Sequence, residues 1–218
     1  MTQVDVALTD YALAVECSIF AFWLARGRAA TSEFRLWFVL FFSSIALATV
    51  AGGTVHGFFA DQSSLGYHLL WPTTLILIGV AALCGTRIGT LMEFTGAPER
   101  IINRATLAVF VIYVVVVLWI SSAFLVAIIG YFPAMVALGA SALMAYRRGR
   151  NSAFLAGFLG ICVTLLAAVV QQMQFDISAR YFSHNALYHV LQGIGLFLVF
   201  VMARGLCEKQ LLHRSPSQ

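Results

Sequence analysis

Four of the chain's five histidines stand at the ends of hydrophobic segments that share one side of a membrane. His56 ends the second segment, His68 opens the third, and His184 and His189 open the seventh. An imidazole inside a bilayer is costly unless it is paired or binds a metal, so clustered intramembrane histidines point to a functional site. Helical phase sorts them, because residues three, four and seven apart share a face. Asn185, His189 and Gln192 form one stripe, and Thr49, Gly52, Gly53 and His56 form another. The glycines of the second stripe permit close helix approach. His184 lies about 140° round the helix from the first stripe and is set apart from it. His213 falls in the C-terminal tail.

The segments that position these residues are read from composition. The chain has 218 residues, 61% hydrophobic and 10% charged, where a soluble domain carries roughly 25% charged residues. Apolar runs recur at lengths that cross a hydrocarbon core of about 30 Å. Seven spans are expected, at about 11–25, 36–60, 67–85, 105–121, 124–146, 153–171 and 185–203. The fourth and fifth are divided by a tight turn near Ser121 and Ser122. Each span should be helical, since only a helix satisfies its own backbone in lipid. The expectation is an all-α membrane protein, a seven-helix bundle forming one integral domain over residues 1–218.

Twelve of the thirteen basic residues fall on one side of this plan, and Arg180 alone falls on the other. The positive-inside rule then places the N-terminus outside and the C-terminus in the cytoplasm. The net charge of +4 follows from that asymmetry and is no nucleic-acid signal. Residues 1–10 carry Asp5 and Asp10 but no basic residue, so the first span is expected to be retained rather than cleaved. Compactness points to a bacterial inner membrane. The four cysteines sit on separate segments without CxxC spacing, which argues against a cysteine metal knot or c-type haem attachment.

With this orientation the polar residues collect on the outer side. Glu16 lies about two turns into the first span. Asp61 caps the outer end of the second, and Gln171, Gln172, Gln174 and Asp176 end the sixth. The inner halves have nothing comparable, which suggests a polar cavity open to the non-cytoplasmic side. Trp23, Trp37, Trp71 and Tyr181 fit interfacial aromatic belts.

The run Asn185-Ala-Leu-Tyr-His189-Val-Leu-Gln-Gly-Ile-Gly195 resembles the seventh helix of alkaline ceramidases. With the adiponectin-type progestin receptors, these belong to a superfamily of seven-helix membrane hydrolases. The family pattern is a His-x-x-x-His pair on the seventh helix, a Ser-x-x-x-His motif ending the second, and an aspartate opening the third shortly before a proline. Together they hold zinc and a water for amide hydrolysis. His189 matches the second histidine of the pair and His56 the histidine of the second helix. Asn185 stands where the first paired histidine would be, Gly52 where the serine would be, and His68 near the aspartate, before Pro72.

The resemblance implies zinc held by His56, His68 and His189, three ligands and an open position as in catalytic zinc sites. Asn185 and Gln192 would orient a ligand or substrate. Glu16 or Asp61 would serve as the base, or His68 where it is not a ligand. The implied activity is hydrolysis of a membrane lipid amide or ester near the non-cytoplasmic surface. A non-catalytic lipid or metal receptor is the alternative, and a haem-binding or proton-coupled membrane protein is the third class.

Overall fold

The structure is a computed structural model. It describes residues 3–27, 33–178 and 182–214, with side chains described through Cys207. Arg28, Arg180 and Tyr181 lie outside the described residues, as do the side chains of Lys209, His213 and Arg214.

Among the described residues, the chain forms seven helices long and apolar enough to cross a membrane. They are α1 (Val4–Ala25), α2 (Glu33–Phe58), α3 (Leu65–Glu93), α4 (Ala97–Val115), α5 (Phe124–Gly149), α6 (Ser152–Gln172) and α7 (His184–Arg214). A π turn, Val116–Ile120, continues α4. All seven expected spans are present, and the protein is an all-helical membrane protein. The helices outrun the apolar windows at their ends. α1 begins at Val4, seven residues before the expected start at Tyr11, and so takes Asp5, Thr9 and Asp10 into the helix. α3 runs on to Glu93, carrying Arg87 within its last turns.

Polar contacts align the helix ends. At one end, the Gln3 N–H donates to the His56 carbonyl at 3.0 Å, tying the start of α1 to the end of α2. Asp5 Oδ2 accepts from the Ser183 N–H at 2.9 Å and its hydroxyl at 2.6 Å, tying α1 to the start of α7. Trp71 Nε1 donates to the Ser122 carbonyl at 2.7 Å, joining the starts of α3 and α5. We call this the N-terminal end. At the opposite end, Arg87 bridges Glu33 of α2 and Glu99 of α4, and Arg148 of α5 pairs with Glu93 of α3.

Six helices pack in a ring in the order α1, α2, α3, α5, α6, α7, and α7 returns to α1. α4 stands outside the ring against α3. Its one buried residue among those described is Tyr113, whose hydroxyl donates to the Leu75 carbonyl at 2.7 Å. Without a hydrophobic driving force between helices in lipid, small residues that allow close packing decide such contacts. The α6–α7 seam shows this: a Cβ on Gly160 would lie 2.5 Å from the Gly195 carbonyl oxygen, and one on Gly195 would lie 2.8 Å from that of Gly160.

Large side chains fill the ring away from the N-terminal end. Phe20, Phe38, Phe41, Phe42, Met135, Leu138, Phe200 and Met202 are all buried in one cluster. Phe20 and Phe200 stack with centroids 4.4 Å apart. Nearer the N-terminal end the inward positions are smaller, with Ala48, Gly52, Thr74, Ala127 and Ala168 among them. There the ring encloses a space.

Candidate functional site

That space is a cavity of about 240 Å³, well above the roughly 10–15 Å³ that admits one water. Most of its wall is apolar, including Leu13, Ile45, Ile78, Ile128 and Leu165. Polar groups enter from every ring helix. They are Asp10 from α1, Thr49 and His56 from α2, Thr74 from α3, Tyr131 from α5, Thr164 and Gln171 from α6, and Asn185, Tyr188, His189 and Gln192 from α7. An apolar pocket with a few convergent polar groups is the form of a small-molecule site.

Asp10 is the centre of the arrangement, and it is the residue the sequence reading missed. It is 3% exposed. Its Oδ1 lies 3.3 Å from His189 Nε2. Its Oδ2 is buried with no hydrogen-bond partner among the described residues. The Gln192 Oε1 and the Tyr131 hydroxyl, on other walls of the same cavity, are buried without partners in the same way. Buried polar atoms are normally satisfied by protein or ordered water. Three orphans on one cavity therefore mark where a ligand's polar group, or water in its place, would bind.

His189 is held on both sides. Its Nδ1 lies 3.2 Å from Thr9 Oγ1, while Nε2 faces Asp10. Thr9 Oγ1 also lies 3.0 Å from the Asp5 carbonyl and 3.0 Å from the Val6 carbonyl. A hydroxyl carries one proton. If it goes to a carbonyl, Nδ1 must be the donor to Thr9, and a proton is shared between Nε2 and Asp10. If it goes to Nδ1, Nε2–H donates to an ionised Asp10. The contact can therefore be read with either one proton more or one fewer on the pair.

Other expected residues are divided between the cavity and its surroundings. His56, Asn185 and Gln192 line the cavity with His189. The Gln171 amide donates to Asn185 Oδ1 at 3.2 Å, fixing Asn185 at the rim. His56 packs edge-on against Trp71 at 6.0 Å. His184 turns away, with Nδ1 2.9 Å from Asp176 Oδ1. The hydrogen bonds from His184's ring and then its backbone hold the Asp176 carboxyl below its ordinary range.

His68 is exposed and does not reach the cavity, so the three histidines are not brought together. The α3 residues that line the cavity are Trp71, Thr74, Ile78 and Ala81, and His68 stands a turn before them, in the first turn of the helix, where it is exposed. Asp61 sits in the α2–α3 connection, fully exposed. Its Oδ1 accepts from the Ser63 N–H and hydroxyl at 2.9 and 2.8 Å, which holds its carboxyl below the usual value. It acts as a turn-former there, not as a base in the cavity. Glu16 faces a separate groove between α1 and α7.

Zinc is tested against this donor set. Asp10, His56 and His189 are of suitable types for a metal, but among the described residues no three His, Cys, Asp or Glu side chains are placed to share an ion. The residues as placed do not fit a zinc centre, and no chemistry is routed through one below.

Gly52 carries a direct consequence. A Cβ there would lie 3.6 Å from Asp10 Oδ2 and 3.5 Å from the Thr74 methyl, both ordinary contacts. Gly52→Ser should place a hydroxyl on the orphaned oxygen. One such bond contributes about 1 kcal/mol, which raises a melting midpoint by roughly 2–4 °C in a protein of this size. Differential scanning fluorimetry checks it, and an unchanged or lower midpoint would show that Oδ2 does not face Gly52.

The signal for Asp10 was present in the sequence. Val6, Asp10, Leu13, Cys17, Phe20 and Leu24 are all buried, and their spacing is one helical stripe that puts Asp10 in phase with the core. Asp10 was masked because the apolar window begins after it. Tyr131 and Tyr188 carried no such signal among the chain's many aromatics.

Neither a curated protein nor a solved structure matches this chain. A family model does match, over residues 6–208, which reaches from the first turn of α1 into α7 and holds every cavity residue. The chain belongs to that family of unknown function, DUF6962.

Proposed function

We propose that this protein binds an amphipathic, lipid-like molecule in the ring cavity, with the molecule's polar end at Asp10, His189, Gln192 and Tyr131. The observation that carries the reading is the set of three buried, unpartnered polar atoms on one largely apolar cavity. By the positive-inside rule the cavity lies toward the non-cytoplasmic side of the membrane, a bacterial inner membrane in this reading. The apolar wall takes hydrocarbon. Asp10 Oδ2 and Gln192 Oε1 accept hydrogen bonds, so a ligand with an amide N–H or hydroxyl suits them.

Hydrolysis of a lipid amide or ester is the second reading, and the Asp10–His189 contact favours it. A water bonded to Asp10 Oδ2 would give its proton to that carboxylate as its oxygen attacks the carbonyl carbon. His189 would stabilise the carboxylate and orient it. The Tyr131 hydroxyl would donate to the oxygen on which negative charge develops. Asp10 would return the proton to the leaving nitrogen or oxygen as the bond to carbon breaks.

The test is purification into nanodiscs, with retained lipid identified by native mass spectrometry. Wild-type protein should keep a specific amphiphile. Ala168→Phe, which fills the cavity, should lose it while remaining folded. Equal retention in both would overturn the binding reading. Ceramides, N-acyl amino lipids and lysolipids are then supplied and released fatty acid is measured. Release that vanishes in Asp10→Asn supports hydrolysis, and no release from any class leaves binding alone. Stoichiometric zinc that disappears in His189→Ala would restore the metal reading.

A further inference from the structure

We propose that the groove between α1 and α7 is a second binding site, which takes the headgroup of a long-chain amine lying in the bilayer. The groove is lined by Thr9, Ala12, Leu13 and Glu16 of α1, and His189, Val190, Gly193, Ile194 and Phe197 of α7. Leu13 and His189 also border the cavity and form the partition between the two spaces. The proposal stands whether or not the cavity binds a lipid.

Glu16 is the reason. It lies twelve residues after Val4, about 18 Å along the helix at 1.5 Å per residue. That is near the middle of the 22-residue apolar helix. Its carboxylate makes no hydrogen bond or ion pair among the described residues. A charge at this depth is costly unless it faces a partner. The outer walls are lipid-facing, with Val190 43%, Ile194 52% and Phe197 50% exposed. Gly193 leaves the space beside the acid, where a Cβ would stand 2.7 Å from Glu16 Oε2.

The chemistry selects the occupant. No lysine or arginine lines the groove, and both ring nitrogens of its one histidine, His189, face Thr9 and Asp10, so an anionic headgroup finds no free partner and meets the Glu16 carboxylate. The polar atoms offered are the carboxylate and Thr9 Oγ1, one helical face apart by seven residues, and both accept hydrogen bonds. An ammonium group supplies several donors and one positive charge. Its alkyl chain lies along Ile194 and Phe197. A neutral alcohol would leave the charge uncompensated, and a fatty acid would add a second negative charge.

The experiment uses the full chain in phosphatidylcholine nanodiscs. Dicyclohexylcarbodiimide, which modifies protonated carboxyls in apolar surroundings, is applied and Glu16 labelling is read by peptide mass spectrometry. Dodecylamine should slow labelling at least about tenfold, while dodecanol and dodecanoate should not. A photoreactive long-chain amine should crosslink α1 or α7 in wild type and in Glu16→Asp, and about tenfold less in Glu16→Gln. Gly193→Ala, which crowds the carboxylate without changing charge, should also reduce crosslinking. If Glu16→Gln does not fold, the wild-type protection experiment decides. Protection by dodecanol equal to that by the amine, no protection at all, or undiminished crosslinking in Glu16→Gln would each overturn the site. So would self-association through α1 and α7 that the amine does not disturb, because the groove would then be a helix interface. Loss of cavity lipid in Ala168→Phe with amine protection intact would separate this site from the one in the ring.

Discussion

Gly160→Leu should leave little folded protein. A Cβ on Gly160 meets the Gly195 carbonyl oxygen at 2.5 Å and the Val199 nitrogen at 3.0 Å. These are backbone atoms, so no rotamer change relieves the contact. α6 and α7 would have to separate along a seam that also forms the wall carrying Gln171 and Asn185. Overpacking of a close contact typically costs 1–3 kcal/mol, and a clash with backbone belongs at or above the upper end, about 3 kcal/mol. Gly149→Leu is the control, because nothing lies within 4 Å of a Cβ there. Size-exclusion recovery and thermal midpoint should fall for Gly160→Leu and hold for Gly149→Leu. Equal behaviour of the two would show that the helices are not in backbone contact.

Asp10→Asn and His189→Ala should move in opposite directions. Asp10 is 3% exposed, with one oxygen unpartnered among the described residues. An amide of the same shape keeps the packing beside His189, so the midpoint of Asp10→Asn should be unchanged or higher. Turnover, where a lipid substrate is found, should fall by roughly 10²–10⁴-fold, the usual share of a general acid–base group. His189→Ala instead strands the carboxylate. Leaving a buried polar group without its neighbour costs about 1–3 kcal/mol, so this variant should lose stability. The double variant measures how far the two changes depend on each other. Thermal unfolding of the four proteins measures the cycle. A stable His189→Ala would mean that Asp10 does not depend on His189.

The spans were legible because lipid imposes a length and a hydropathy that a sequence window detects. Their ends were not. The first turns of α1 carry Asp5, Thr9 and Asp10, and α4 begins at Ala97 with Glu99, Arg100 and Arg104 in its opening turns. Helix continues there through residues that an apolar window rejects. His56, His189, Asn185 and Gln192 were found through helical phase and a shared depth. His68 falls in the first turn of α3, a turn before Trp71, and is exposed there. Asp10 has the phase but lay outside the window. Which helices adjoin was also beyond the sequence. Displacement of α4 from the ring depends on the fit of Tyr113 against Gly79 and Gly130, a contact between positions distant in the chain.

Closure of the ring by α1 against α7 has a consequence for biosynthesis. Thr9 and His189 are 180 residues apart, so at about 5–20 residues per second the first half of the site waits roughly 10–40 s for the second. During that time Asp10 is in a helix already made, without its imidazole, and Leu13 has no partition to form. The Asp10–His189 contact, the cavity and the groove come into being together, with the last helix delivered. Nascent chains stopped short of α7 therefore hold Asp10 with no imidazole opposite it.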